Sequence, residues 1–397
     1  MTVPMTDTAA SAASPSFAED IAFLEKHGPV QLLESDTGAR VAVSAKYQGR
    51  VMTSAVSNAG RSFGWIHRAF IAAEKTGTAF DNYGGEDRFW LGPEGGQFGL
   101  YFPKGAAFAF DAWQVPHALQ EGAWSVVTQS RSKVSFHAAM DVANWTGTPF
   151  SVDVKRSVSL VDRESAKRLL GLDAAALSSV EMVGFETANE IKNVGKAPWK
   201  KDSGLLSVWI LAMFAPAADG RVVIPFYPGK EADLGPVVSD AYFGKVPADR
   251  LAVREDRGFL AFKVDGLQRG KIGLGPMRAK GVAGSYSAAA KLLTIIQYPM
   301  PPKKKTPLPY VNSMWEQQKE PYGGDVVNSY NDGPTGPGKP ALGGFYEIET
   351  SSPGHELAPG QTALHTHRTF HIVGEPDALS PIARAVLGAS LSELTLP

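Results

Sequence analysis

The sequence predicts an all-β fold of many short antiparallel strands, of the sandwich or barrel kind, with a few short helices towards its ends. Three observations predict it. The 397 residues include 41 Gly and 28 Pro, about a sixth of the chain where roughly an eighth is usual, and such punctuation suits strands joined by turns better than a helical bundle. Short β-prone runs recur with turn signals between them, at the spacing of about 8–12 residues expected of sandwiches and barrels. Helical patterning is confined to three segments.

Residues 1–16 are rich in Ala, Ser and Thr and read as a flexible leader. They lack a basic n-region and an apolar h-region, so no signal peptide is expected, and periplasm and cytoplasm both stay open. Residues 17–397 read as one domain. Residues 17–27 place apolar side chains at 17, 21, 23 and 24 and predict a short amphipathic helix. Residues 40–47 alternate, with Val41 and Val43 on one face, and predict a strand; 51–56 follow after a Gln-Gly turn. Further strands are expected at 98–102, 106–110, 124–129, 134–137 and 150–160. A helical interlude covers 163–177. Strands resume at 180–189, 205–214, 221–225, 259–264, 291–298, 344–350 and 361–373, and residues 377–394 predict a C-terminal helix. Residues 300–309 and 333–340 read as exposed loops, the lysines at 303–305 as a solvated loop tip.

Composition excludes several functions. Lys+Arg number 39 against 40 Asp+Glu, a net charge of −1, so no broad basic surface for nucleic acid is expected. The chain has no Cys, which removes disulfides, thiolate metal sites and a cysteine nucleophile. No run of 18 apolar residues exists, so no membrane-spanning helix is expected. There is no nucleophile elbow, no HExxH, no EF-hand loop and no GxGxxG after a strand, hence no nucleotide cofactor.

Three clusters remain that suit chemistry. Residues 364–372, LHTHRTFHI, hold three of the eight histidines. Strand alternation puts His365, His367 and His371 on one face with Thr369, and Leu364, Thr366, Arg368, Phe370 and Ile372 on the other. The expectation is an imidazole ladder facing a cavity or solvent. The preceding strand, FYEIET, puts Glu347 and Glu349 on one face, and a single connection makes the two strands expected neighbours. Two Glu facing three His would form either a site for one divalent metal ion on His365, His367 and His371, or an acid/base constellation. The alternative is an exposed edge strand polar for solubility. The second cluster, DNYGGEDRFWLGPEGGQF at 81–98, sets Asn82, Glu86, Asp87, Arg88, Trp90 and Glu94 among glycine pairs. Carboxylates and Arg can fork across hydroxyls, and Trp can cover a pyranose face; the alternative is a structural loop in which Arg88 pairs with Glu86 or Asp87. The third, residues 310–332, is aromatic and amide-rich, and offers Trp315, Asp325, Asn328, Tyr330 and Asp332 as binding-loop residues. Those residues would serve equally to satisfy loop backbone. His67, His117 and His137 read as structural, His27 and His355 as surface residues.

Taken together, GARVAVSAKYQGRVMTSA, NYGGEDRFWLGPEGGQF, NWTGTPF, LLSVWILAMFAP, VNSYNDGP and FYEIETSSPGHELAPGQTALHTHRTFH resemble an uncharacterised bacterial family of unknown function with a galactose-mutarotase-like fold. The resemblance runs from about Pro29 to the end. It implies a large antiparallel β-supersandwich. Aldose 1-epimerases carry a Glu base in an E-T segment followed by Leu-x-Pro-Gly; Glu349–Thr350 and then Leu357, Pro359 and Gly360 stand in that order, so the resemblance implies Glu349 as base, with Glu347 its rival. NYGGEDR lacks the histidine of the corresponding mutarotase loop. The expected function is acid/base proton transfer on a sugar or glycoside, of the epimerase or lyase type. Glu349 or Glu347 would be base and His367 acid, with metal assistance from the ladder as a variant, and Asn82, Glu86, Asp87, Arg88, Trp90, Asn328 and Asp332 would bind substrate. A non-catalytic carbohydrate-binding protein is the second reading. A glycosidase, with Glu86 or Asp325 as the opposing carboxylate, is the third.

Overall fold

The structure is a computed structural model that describes residues 15–301 and 308–394. Most of the expected leader and the lysine run at 303–305 lie outside the described residues. The first elements are α1 (Phe17–His27), β1 (Gln31–Glu34), β2 (Arg40–Ser44), β3 (Arg50–Ala55), α2 (Arg68–Ala72), β4 (Arg88–Gly92), α3 (His117–Gln120), β5 (Ser125–Gln129), β6 (Lys133–Ala143), β7 (Pro149–Leu160) and α4 (Arg163–Leu170). There follow β8 (Glu181–Asn193), β9 (Ser207–Phe214), β10 (Arg221–Pro225), α5 (Glu231–Leu234), β11 (Leu251–Arg254), β12 (Phe259–Lys263) and β13 (Gly270–Leu274). The last are β14 (Val282–Ser287), β15 (Leu292–Gln297), β16 (Val327–Asn331), β17 (Tyr346–Ser351), β18 (Thr362–Val373) and α6 (Pro376–Leu387).

The fold is all-β, with antiparallel pairing throughout and short peripheral helices. A ten-stranded sheet runs β11-β12-β10-β14-β15-β18-β8-β7-β6-β5, and a five-stranded sheet runs β13-β16-β17-β9-β4. The three strands β1-β2-β3 form a small third sheet. The core fills the space between the two large sheets. Phe89, Val208 and Ile210 meet Val134, Phe136, Val154 and Phe185 at one end. Ile348, Ile272 and Phe214 meet Val222, Ile224 and Phe262 at the other. The outer face of the larger sheet is roofed by α6, whose Leu379, Ile382, Ala383 and Leu387 recur at helical spacing against Phe370, Ile372 and Ile295. Each such large apolar side chain contributes about 1.5–3 kcal/mol when buried. Among the described residues no helix is long and apolar enough to cross a membrane.

Local chemistry explains the ends. Ser16 caps α1 by accepting from the Glu19 amide, and the Glu19 carboxylate accepts the Ser16 amide at 2.7 Å, a reciprocal capping box. Gly388, at φ +75°, closes α6.

Several expectations are corrected. Residues 98–102 and 106–110 form no strand; their backbone closes turns, as in Leu100 N–H to Pro93 O and Ala106 N–H to Pro103 O, while Tyr101 and Phe102 are buried. The interlude at 163–177 holds helix only to Leu170, where Gly171 takes the left-handed conformation. The C-terminal helix is Pro376–Leu387, shorter than expected. Residues 88–92 and 327–331, read as loop, are the strands β4 and β16. Finally, β17 and β18 are not neighbours: they lie in different sheets, and the connection between them crosses from one to the other.

Candidate functional site

The face of the five-stranded sheet turned away from the core carries the polar residues. Alternation along β17 sends Tyr346, Ile348 and Thr350 inward and Glu347 and Glu349 outward. Register then assembles a patch. Glu349 stands opposite Leu211, which stands opposite Arg88; Glu347 stands opposite Tyr330, which stands opposite Lys271; Trp90 pairs with Trp209. Loops bring Glu94, Phe110, Trp113, Phe243, Trp315 and Leu342 over this patch and enclose about 490 Å³ of empty space, mouth included.

The floor of the pocket is two crossed ion pairs. The Arg88 guanidinium donates to Glu347 Oε1 at 2.9 Å, and Lys271 Nζ donates to Glu349 Oε2 at 2.8 Å. Trp209 Nε1 donates to the same Glu349 oxygen at 3.0 Å. All four charged groups are buried. Burial pushes the Glu347 carboxyl up to about 8, with Glu349 beside it acting in the same direction and Arg88 against it. Burial pulls Lys271 down, but Glu349 and Glu94 outweigh it and hold the ammonium above its ordinary range. Arg88 also lies 3.9 Å from the Trp90 ring centroid.

The walls are aromatic. Phe110, Trp113 and Trp315 lie nearly parallel, with Trp113 and Trp315 centroids 6.2 Å apart. Glu94 Oε1 accepts from Trp113 Nε1 at 2.9 Å, and burial raises its carboxyl. Among the described residues three buried N–H groups of the lining have no hydrogen-bond partner, Arg88 Nε and Nη1 and Trp90 Nε1, while the Trp315 indole N–H is directed at the Glu94 carboxyl. Such donors cost about 1–3 kcal/mol each when left unpaired.

The expected site residues part company here. Glu347, Glu349, Arg88 and Trp90 line the pocket. Asn328 stands beside Glu349, but its amide donates to Tyr242 Oη and Ile272 O. Asp332 accepts the backbone N–H groups of Leu342, Gly343 and Gly344 and so clamps a pocket loop. Asn82 ties the same loop by donating to Leu342 O. Glu86 and Asp87 point between the sheets instead. The glycine pair before them explains the turn: a Cβ on Gly84, at φ +79°, would lie 2.3 Å from Trp65 O, and one on Gly85, at φ +112°, would lie 2.4 Å from Arg50 Cδ. Arg88 pairs across the sheet with Glu347, not with Glu86 or Asp87.

The histidine ladder also faces the core, contrary to expectation. β18 is a mid-sheet strand between β15 and β8, so its His face meets the other sheet. The Thr350 hydroxyl bonds both His365 Nε2 and His367 Nδ1, each at 2.9 Å. His371 Nε2 lies 2.6 Å from Glu86 Oε1 and its Nδ1 lies 2.8 Å from Thr294 Oγ1. Thr350 points inward and Glu349 outward, so the acid role expected of His367 fails on geometry: the sheet itself separates it from the pocket. His365 and His367 share the Thr350 hydroxyl while His371 turns to Glu86 and Thr294, and among the described residues no three His, Asp or Glu side chains gather at a point suited to a metal ion.

Burial lowers His365 to about 3 and His367 to about 4. Both values fall below the ordinary 6.5, so the unfolded chain takes up protons that the folded chain refuses. Stability is therefore full above about pH 6.5 and falls progressively as the pH drops towards 4. Urea titrations at pH 7 and pH 5 are expected to show a lower midpoint at pH 5. A double His365→Asn, His367→Asn variant is expected to lose most of that difference; an unchanged difference would remove these two side chains as its source.

A larger hollow of about 860 Å³ lies between the sheets near Arg61, Tyr346 and His371. Its one buried imidazole is already engaged by Glu86 and Thr294, so the aromatic pocket is the better candidate. Sequence reading missed Lys271, Trp209, Trp113 and Arg269 as its residues. Trp209 sits in an unbroken apolar run, SVWILAMF, that reads as core. Lys271 was findable as the lone charge in GKIGL.

Residues 15–396 match a family described as a family of unknown function, DUF6786. No curated protein matches the chain. Among solved structures the chain is similar to a putative aldose 1-epimerase from Escherichia coli K12, at 11% identity and a TM-score of 0.49, covering 87% of this chain and 98% of that one. It is similar to a galactose mutarotase related enzyme from Lactobacillus acidophilus, at 11% identity and a TM-score of 0.46, covering 86% and 97%. A galactose mutarotase-like protein from Lactobacillus casei matches at 10% identity and a TM-score of 0.43, covering 86% and 100%.

Proposed function

The chain belongs to this family of unknown function, which brings no chemistry with it, and from the pocket's geometry we propose a carbohydrate-active enzyme that works by acid/base proton transfer on a cyclic sugar. The observation that carries the reading is the pair of buried carboxylates, Glu347 and Glu349, on one strand beneath parallel aromatic walls. Two residues apart on a strand, they are spaced about 6–7 Å. That spacing lets one ring oxygen and one hydroxyl of the same sugar be addressed from one side.

In this reading Glu349 takes the proton of the anomeric hydroxyl. The C1–O1 bond becomes a carbonyl, the bond from C1 to the ring oxygen breaks, and Glu347 delivers its proton to that oxygen. Rotation about C1–C2 and reversal of the same transfers close the other anomer. A carboxyl raised to about 8 holds its proton at neutral pH and suits the acid role. Lys271 faces Glu349 and Arg88 faces Glu347, so both carboxylates are held in place rather than free to turn. The unpaired N–H groups of Arg88 and Trp90 would find acceptors in sugar hydroxyls, and the indole faces would cover the apolar side of the ring.

The test is exchange between α and β anomers of free hexoses and uronates, followed by nuclear magnetic resonance with and without the protein. Acceleration that scales with protein concentration supports the reading. Saturable sugar binding without acceleration would leave a carbohydrate-binding protein, and absence of both would reject a sugar pocket.

A further inference from the structure

Resting on the sugar pocket just proposed, we infer that its ligand carries an anionic group, a carboxylate or a phosphate, received by Arg269. The lining holds three cations, and two of them have a carboxyl partner within hydrogen-bond distance, Arg88 at Glu347 and Lys271 at Glu349. Arg269 makes no ion pair among the described residues. Its guanidinium is held by rings instead, 3.7 Å from the Phe243 centroid, 5.6 Å from Phe110 and 5.9 Å from Tyr330. Its one hydrogen bond runs from Nε to the Tyr330 hydroxyl at 3.3 Å, so both Nη groups are unused.

The acids near it are otherwise occupied. Asp332 lies across the Tyr330 hydroxyl, 3.0 Å from it, but its carboxylate is engaged by three backbone N–H groups of the 342–344 loop. Glu94 accepts from Trp113, and burial favours its neutral form. Arg269 is thus the lining cation that no carboxyl of the described residues meets directly. Arg269 also borders an outer hollow with Leu267, Gln268 and Thr335, which puts it at the mouth. Aromatic rings hold a guanidinium by its face and leave its edge to donate. That edge matches two oxygens of a carboxylate or phosphate. With the ring over Glu347 and Glu349, the anionic substituent would project outward to Arg269.

The experiment is calorimetric titration of the wild type, Arg269→Met and Arg269→Lys with galactose, galacturonate and galactose 6-phosphate, and with the matching glucose series, at low and high salt. The wild type is expected to bind at least one acidic sugar about tenfold or more tighter than its neutral parent, with the preference shrinking at high salt. Which acidic series wins tells carboxylate from phosphate. Arg269→Met keeps the packing against Phe243 and is expected to level acidic and neutral sugars, while Arg269→Lys keeps part of the preference. Equal binding of acidic and neutral sugars by the wild type overturns the inference and leaves the sugar pocket standing, as does a preference that survives in Arg269→Met. Binding of no sugar at all overturns both.

Discussion

Glu347→Gln is expected to slow anomer exchange by about 10²- to 10⁴-fold, the contribution of a positioned general acid or base, while sugar binding persists. The amide keeps the shape of the side chain and an oxygen for Arg88, which donates to Glu347 Oε1 at 2.9 Å, but it has no proton of suitable acidity. The pH profile adds a second readout. Glu347 is raised to about 8, chiefly by burial, so the protonated acid persists at neutral pH and is lost as pH rises through about 8. Wild-type turnover is expected to fall on that alkaline limb, and the residual activity of Glu347→Gln is expected to lack it. An unchanged rate would remove Glu347 from the chemistry. A lost rate with lost sugar binding would make it a binding residue only.

Asp87→Ala is expected to cost about 3–5 kcal/mol of stability, the range for removing one partner of a buried ion pair. Asp87 and Arg156 are both inaccessible, and Arg156 Nη2 meets Asp87 Oδ1 at 2.6 Å. Arg156 also donates to Gly49 O at 2.8 Å and to the Asn189 side chain, and Thr187 donates to Asp87 Oδ2 at 2.8 Å. Removing the carboxylate leaves a buried guanidinium charge between two sheets without its counter-charge. Joint replacement, Asp87→Leu with Arg156→Met, is expected to recover much of the loss, because no orphaned charge remains. Chemical denaturation measures both. A small loss for Asp87→Ala would mean that water reaches Arg156. The sequence suggested Asp87 as a sugar ligand; on that reading its loss would weaken binding and spare stability, the reverse of what the structure predicts.

The contrast between these two acids shows how far sequence patterns reach. Glu347 and Glu349 were legible because strand alternation assigns them one face whatever the strand pairs with. Asp87 and Glu86 were legible as a charged cluster but not as buried, because nothing local says that the chain before β4 turns inward. His365, His367 and His371 were correctly placed on one face, and the wrong face was taken as exposed. The row of Leu364, Thr366 and Arg368 opposite them looked packable, yet Leu364 is 59% exposed while His371 is fully buried. Polar side chains can fill a core when each finds a partner, as these do through Thr350, Thr294 and Glu86.

By itself the sequence determined the strand-rich fold class, the amphipathic helix α1, most strands of the ten-stranded sheet and the one-sided placement of the two carboxylates. These depend on period and turn residues, both of which act within a few residues. Only the tertiary structure decided that β17 and β18 face each other across the core, that Arg88 and Lys271 reach Glu347 and Glu349 from opposite sides, and that Trp113, Trp315 and Arg269 close over them. Arg88 and Glu347 are 259 residues apart and Lys271 and Glu349 are 78 apart, and the wall residues come from separate loops. Their meeting is set by sheet register and loop packing, and a pattern read along the chain carries no information about either.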